Sequence, residues 1–291
     1  MKSKKSIVVS GANGQLGKSF QKISFDWPSY QFHFFDSVEM DITKKESIDS
    51  VFLEVQPDVF INCAAYTAVD LAESERDKAY AINAEALDFI TSACIKNNTC
   101  LIHYSTDYVY DNGMRTPMNE QAPTNPKSIY AQSKKMGEEI IAQSPVNAII
   151  FRTSWVYSEF GNNFVKTMLK LGKEKSNLGV VDDQIGAPTY ATDLANASMK
   201  VLDDKSMERH IGSKILNYAS EGRLSWYEFA CFIFEEAQIK IDVSPIPSED
   251  YPTPATRPRW SVLDMTEIKK TYGIAPRYWK ESVKECIYLL S

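Results

Sequence analysis

The sequence predicts an α/β fold, a doubly wound parallel sheet with helices on both faces and a smaller C-terminal domain. Three observations carry that reading. Short apolar runs alternate with longer helical stretches through the first half, the order that parallel strands and their crossover helices require. A glycine-rich turn directly follows the first apolar run. After about residue 153 the rhythm changes, and turn-forming stretches such as EFGNN, DDQIGAPT and SPIPSEDYPTPATRPR separate shorter elements.

The strand-like runs are SIVVS (6–10), YQFHFF (30–35), DVFINCA (58–64), CLIHYS (100–105) and NAIIFRT (147–153). Helical stretches lie between them at 14–24, 43–55, roughly 73–98 and 128–143. Thr43 followed three residues later by Glu46 reads as a capping box opening the second helix. Ser225 with Glu228 reads the same way further on, where the cluster WYEFACFIF (226–234) forms the buried face of a helix. These elements divide the chain into a sheet domain over 1–152, with a return segment near 190–218, and a cap made of 153–189 and 219–291.

Composition narrows the function classes. The 291 residues are enough for one large domain or two modest ones, and 44% hydrophobic with 24% charged residues is an ordinary globular balance. A net charge of -6 argues against a nucleic-acid partner, which needs a basic face. No apolar run approaches the roughly 18 residues of a membrane span. The start MKSKKSIVVSG has too short an apolar run for a signal peptide. The cysteines at 63, 94, 100, 231 and 286 are odd in number and form no CxxC pair, so reduced thiols and a cytoplasmic location are expected. His33, His103 and His210 are too scattered to suggest a metal site.

The glycine turn is GANGQLG, in which Gly11, Gly14 and Gly17 enclose Asn13, Gln15 and Leu16 between a strand and a helix. That setting is Rossmann-type: the backbone approaches a pyrophosphate, which rests on the amides of the helix N-terminus. Asp36 follows the second strand about 20 residues on, where a ribose-binding carboxylate belongs. A dinucleotide cofactor, NADPH or NADH, is therefore expected. Asp36 suits a ribose 2′-hydroxyl and repels a 2′-phosphate, whereas Ser37, Lys44 and Lys45 could favour the phosphate. The balance predicts that NADH is accepted at least comparably to NADPH.

A second motif lies in SIYAQSKKMGEE (128–139), where Tyr130 and Lys134 sit one helical turn apart on the same face. Alone, YxxxK is most often a surface pair. Lys135 points about 100° around the helix and reads as a solvated charge.

Together the two motifs resemble the extended short-chain dehydrogenase/reductases. The segments MDIT (40–43), PDVFINCAAYTAVDLAE (57–73), STDYVY (105–110), RTSWVY (152–157), GNNF (161–164), DQIGAPT (183–189) and RPRWS (257–261) run in the order seen in the dTDP-4-dehydrorhamnose reductases. That resemblance covers nearly the whole chain. It implies reduction of the 4-keto group of dTDP-4-dehydro-L-rhamnose, with Tyr130, Lys134 and Thr106 as the catalytic set. It places Gly11, Gly14, Gly17, Asp41, Ile42, Ala64, Ala65 and Tyr66 along the cofactor, with Asn83 near it. Trp155, Gln184 and Arg257 fall at the sugar-nucleotide pocket, and Asp107 beside them or in a structural role. Ala131 stands where glycine is usual, and Thr256 where a second arginine is common. Some relatives join subunits through a metal held by acidic side chains; GKSF (17–20) offers no carboxylate, so no metal is expected. The sequence does not specify an oligomeric state, and a homodimer is compatible with it.

In that chemistry Tyr130 is the general acid for the ketone oxygen, and the Lys134 ammonium is expected to lower its pKa by roughly 2–3 units. Thr106 donates a second hydrogen bond to the same oxygen. Trp155 lies against a sugar ring or fills core, and Arg257 suits a diphosphate through paired hydrogen bonds. The alternatives are a reductase of another nucleotide-linked 4-keto sugar and a non-catalytic NADP-binding regulator. An epimerase or dehydratase is less consistent, because Asp107 is followed by Tyr108 where a dehydratase adds a second acid.

Overall fold

In the first strand, β1 (Lys5–Ser10), Ile7, Val8 and Val9 are all fully buried. An interior parallel strand is covered on both sides, so it cannot alternate apolar with polar residues. Ile7 and Val9 join one hydrophobic core and Val8 the other. The computed structural model describes residues 4–204 and 211–291, so His210 lies outside the described residues.

The chain continues through α1 (Gln15–Ile23), β2 (Tyr30–Phe35), α2 (Lys45–Val55), β3 (Val59–Asn62), α3 (Val69–Ala72), α4 (Arg76–Tyr80), α5 (Ala86–Asn97), β4 (Cys100–Thr106), α6 (Ile129–Gln143) and β5 (Ala148–Thr153). Then come β6 (Val156–Tyr157), α7 (Phe164–Glu174), β7 (Asn177–Val181), β8 (Ile185–Gly186), β9 (Thr189–Tyr190), α8 (Ala191–Asp203) and β10 (Ser213–Tyr218). The last elements are β11 (Leu224–Ser225), α9 (Trp226–Glu236), β12 (Asp242–Ile246), α10 (Thr266–Tyr272) and α11 (Trp279–Leu290). Six strands form one sheet in the order β2-β1-β3-β4-β5-β10, and every pairing is parallel. The order reverses between β1 and β3, and ligands of such sheets bind beyond the strand ends at that reversal. Helix α8 packs on α1, and β10 closes the sheet beside β5. A third core, built around Phe229, Ile233, Phe234 and Trp279, belongs to the shorter elements.

One local expectation needs correction. Thr43 does not cap α2. Its hydroxyl and its amide N–H both donate to the Asp41 carboxylate, at 2.6 and 3.0 Å, and the helix starts at Lys45 without a side-chain cap. A nearby carboxylate is simply the better acceptor for that hydroxyl. The helix expected over roughly 73–98 forms over 76–97, but as α4 and α5 joined by a π-helical turn at Ala81–Glu85. The widened turn aims Asn83 at the backbone of Tyr66, accepting from its N–H at 2.9 Å and donating to its carbonyl at 3.0 Å. The second capping box does form, with Ser225 accepting from the Glu228 N–H and the Glu228 carboxylate from the Ser225 N–H.

Helix α6 sits unusually close to the π turn. A Cβ on Gly137 would lie 2.2 Å from the Asn83 carbonyl oxygen and 2.6 Å from Leu87. Gly137→Ala is therefore expected to lower stability by about 1–3 kcal/mol in denaturant unfolding, the range for overpacking a rigid contact. A loss below about 0.5 kcal/mol would show that the two segments can separate freely.

Candidate functional site

Beyond the ends of β1, β2 and β3 lies a cleft of about 300 Å³. Of the sequence-predicted cofactor residues, Gly11, Asn13, Gly14, Asp36, Asp41, Ile42, Ala64 and Ala65 line it. Gly11 has a φ of +65°, and a Cβ there would meet the Ala64 nitrogen at 2.7 Å, so only glycine fits this turn. Gly17 lies behind the cleft, where a Cβ would strike the Gly11 carbonyl oxygen at 2.3 Å; it lets α1 pack on the loop. Gln15 and Leu16 do not line the cleft. Gln15 reaches across to Ser158 and Asn163, its carbonyl oxygen accepting from both at 3.1 and 2.8 Å, while Leu16 packs into the core. Tyr66 and Asn83 stand beside it as buried supports.

The Asp36 carboxylate is held firmly at the rim. One oxygen accepts from the amides of Val38 and Glu39, and the other from the Asn13 side chain at 2.7 Å. The two lysines that could reach a phosphate are engaged elsewhere, Lys44 with Asp41 at 3.2 Å and Lys45 with Asp49. The amides of the glycine turn and the Asp36 carboxylate thus suit the pyrophosphate and ribose of a dinucleotide.

Tyr130 and Lys134 lie on α6 one turn apart, below the end of β4 that carries Thr106. The electrostatics differ from expectation. Burial pushes the Tyr130 phenol up to about 12, with the Thr106 hydroxyl pulling it back and Asp107 adding to the rise. Lys134, 2% exposed, is itself pushed down to about 8 by burial, against the pull of Glu138. Its Nζ atom is directed at His103, 3.4 Å from Nε2. Sequence reasoning had no signal for His103, because its partner is set by strand register. Asp107 is buried; Thr106 donates to its Oδ1 at 3.1 Å and Oδ2 has no partner.

On the cap side the predicted residues are more dispersed. Trp155 has a φ of +47°, a strained backbone for so large a side chain, and its indole stacks on Trp226 with ring centres 3.6 Å apart. A Cβ on Gly186 would lie 2.7 Å from that indole, so the ring is closely covered. Gln184 is buried and donates to Ser248 at 2.9 Å. Arg257 makes a two-bond pair with Asp70 at 2.7 and 3.0 Å, joining the cap to α3. A second cleft, of about 240 Å³, is instead lined by Arg115, Asp183, Ile185, Arg259 and Trp260. The sequence marked Arg259 only as part of RPRWS (257–261), without a role of its own, and nothing local sets Arg115 apart from solvated charge.

A family profile described as RmlD substrate binding domain matches residues 5–291. The chain is 39% identical to a dTDP-4-dehydrorhamnose reductase of Aggregatibacter actinomycetemcomitans, covering 96% of this chain and 97% of that protein. It belongs to the dTDP-4-dehydrorhamnose reductase family. A member of that family from Bacillus anthracis, solved in complex with NADP, superposes with a TM-score of 0.92 at 36% identity, over 98% of this chain and 99% of that one. The Bacillus subtilis spore coat polysaccharide biosynthesis protein SpsK is 38% identical over 96% of this chain and 95% of its own. The chain is thus an NAD(P)-dependent reductase of the nucleotide-sugar class. Among the described residues no helix is long and apolar enough to cross a membrane, and no cluster of acidic, cysteine or histidine side chains could hold a metal ion.

In this member of the dTDP-4-dehydrorhamnose reductase family, Asp107 is the carboxyl most displaced from normal behaviour. Burial raises it to about 7, against the neighbouring Ser261 and Thr106 hydroxyls, which lower it. A carboxyl raised in the folded state favours folding in its protonated form, so that contribution is intact below about pH 4 and lost as pH rises through about 7. Asp107→Asn should therefore gain stability relative to the parent between pH 5 and pH 8, by about 2–4 kcal/mol in denaturant unfolding. A stability difference that stays constant over that range would mean the carboxyl ionises normally.

Proposed function

We propose that the protein reduces the 4-keto group of dTDP-4-dehydro-L-rhamnose to give dTDP-L-rhamnose, using NADPH or NADH. The observation that carries this reading is the Tyr130 phenol on α6 meeting the Thr106 hydroxyl at the end of β4, with the buried Lys134 one turn further along the helix. Two hydroxyl donors can hold one carbonyl oxygen and stabilise the negative charge that develops on it. The cofactor, when bound, supplies the hydride. Tyr130 supplies the proton as general acid, Thr106 orients the carbonyl, and the Lys134 ammonium favours loss of that proton from the phenol.

On this reading residues 1–152 with the return near 190–218 bind the cofactor, and 153–189 with 219–291 form the substrate cap. The guanidinium of Arg115, which has no hydrogen-bond or ion-pair partner among the described residues, suits the substrate diphosphate, whereas that of Arg259 in the same cleft is already paired with Glu249 and Asp183. Arg257, already paired with Asp70, acts by holding the cap in place. The likeness to SpsK supports a second reading, a different nucleotide-linked 4-keto sugar as substrate.

Incubation with dTDP-, UDP- and GDP-linked 4-keto sugars, following loss of reduced-cofactor absorbance, separates these readings. The dTDP-4-keto-6-deoxy sugar is expected to be turned over fastest. Tyr130→Phe should lower kcat by about 10²–10⁴-fold, the usual contribution of a positioned general acid. Near-parental turnover by that variant would remove Tyr130 from the mechanism.

Cofactor choice follows from the rim of the cleft. The Asp36 carboxylate is fixed by three hydrogen bonds and can accept from a ribose 2′-hydroxyl. Because Lys44 and Lys45 are paired with Asp41 and Asp49, they offer a 2′-phosphate little without breaking those contacts. NADH should therefore be used at least comparably to NADPH when kcat/KM is measured for each at fixed substrate. An NADPH preference above about 100-fold, or about 2.7 kcal/mol, would require a phosphate clamp elsewhere at the rim.

A further inference from the structure

A line of buried polar side chains runs across the sheet beneath the catalytic helix. Lys134 Nζ lies 3.4 Å from His103 Nε2, and His103 Nδ1 lies 3.2 Å from the Asn62 amide nitrogen. The Asn62 amide oxygen accepts from the Ser10 hydroxyl at 2.7 Å, and the Ser10 oxygen is 3.4 Å from the Ala64 nitrogen. Strand register sets this line: Ser10 is paired with Asn62 across β1 and β3, and Asn62 with His103 across β3 and β4. All four side chains are at most 2% exposed. The far end reaches Ser10 and Ala64, which adjoin or line the dinucleotide cleft.

We propose that His103 is a positioning residue for the reduction: its Nε2 accepts a hydrogen bond from the Lys134 ammonium, and through Asn62 and Ser10 it ties that ammonium to the glycine turn. The proposal rests on the reading of Lys134 as part of the catalytic set.

The donor and acceptor inventory makes it specific. An ammonium can only donate, so the ring nitrogen facing it must be the acceptor and the imidazole proton must sit on Nδ1. That N–H then needs an acceptor, and the Asn62 amide is the group in reach. An ionised Lys134 therefore calls for the amide turned by 180°, its oxygen towards the ring and its nitrogen towards Ser10, an exchange that leaves the heavy atoms in place. If Lys134 is neutral, the opposite arrangement satisfies every atom, with Asn62 donating to Nδ1 and Nε2–H donating to the amine. The direction of the whole line thus follows the charge on one lysine.

The charged and titratable groups facing Lys134 are few. Glu138 on its own helix favours the ammonium and is itself paired with Arg152 from β5. Tyr130 lies one turn earlier, with Asp107 beyond it. His103 is held well below its usual range by burial and by Lys134, so it stays neutral and remains an acceptor. Without that acceptor the buried ammonium loses a hydrogen bond, and Lys134 releases its proton at lower pH.

Two measurements test this. In protein labelled with ¹⁵N-histidine and free of substrate, the His103 signal, assigned by its absence in His103→Gln, should report a neutral ring protonated on Nδ1 at pH 7. A ring protonated on Nε2, or a charged one, overturns the proposal whether or not the protein is active. In the enzyme, His103→Phe should move the alkaline limb of the kcat profile down by about one pH unit. His103→Gln, whose amide oxygen can again accept from Lys134, should return it towards the parental position. An unmoved limb in a His103→Phe protein that unfolds at the parental temperature overturns the role, as does a His103→Gln profile displaced as far as that of His103→Phe. If His103→Phe does not fold, the histidine tautomer and the His103→Gln profile decide. Absence of turnover in the parent on every 4-keto sugar would count against the proposed function and leave the tautomer measurement standing.

Discussion

A lysine ammonium buried to 2% exposure is the constraint around which this site is organised. An isolated charge in such a place would cost several kcal/mol, and in practice it would lose its proton. Glu138, one turn further along α6, supplies the compensating charge, and Arg152 grips it with two bonds at 2.8 and 2.6 Å. Arg152 in turn rests over the Tyr110 ring and donates to the Glu120 carbonyl. Helix, sheet and the segment before the helix are thereby connected through one chain of charge. Such a pair is weak grounds for stability in itself, because desolvation offsets much of the attraction. Its consequence here is orientation, since α6 cannot rotate without breaking it, and Tyr130 rides on the same helix.

Backbone packing reinforces that placement. Gly137 allows α6 to touch the π turn, and Ser133 on the intervening face accepts from Asn83 at 3.1 Å while donating to the Tyr130 carbonyl at 2.8 Å. Asn83 also holds both polar groups of the Tyr66 backbone, just past the end of β3. The segment after β3 and the helix carrying the phenol are thus braced by the same amide. Bonds that cross between the halves of the chain do comparable service. Gln15 in the glycine turn is gripped by Ser158 and Asn163, and Arg257 by Asp70. Asn163 also caps α7. The short motif GNNF therefore serves the glycine turn and α7 together.

How much of this was readable without coordinates depended on the range of the forces involved. The five early strands fell where the apolar runs stand, because burial on both faces leaves a mark confined to a few consecutive residues. Gly11, Gly14, Asp36 and the Tyr130–Lys134 spacing were readable for the same reason, each being a backbone or helical requirement met within a short window. Local rules failed where a nonlocal partner competed. The Thr43 hydroxyl went to Asp41 rather than to a helix N-terminus, and the helix expected from about residue 73 runs continuously from Arg76 to Asn97 but widens to a π turn at 81–85, where Asn83 bonds the Tyr66 backbone.

By itself the sequence determined the fold class, the glycine turn after β1 and the pair of groups on α6, since all three follow from periodicity and from the conformations open to glycine. Only the tertiary structure decided what those groups face. Lys134 meets His103 because β1, β3 and β4 are aligned residue for residue, and Arg257 meets Asp70 across a long stretch of chain. Burial then moved Tyr130 upwards and Lys134 downwards, the opposite of what their spacing suggested for the phenol. The physical reason is that desolvation depends on everything packed around a group, whereas a motif records only its neighbours in the chain.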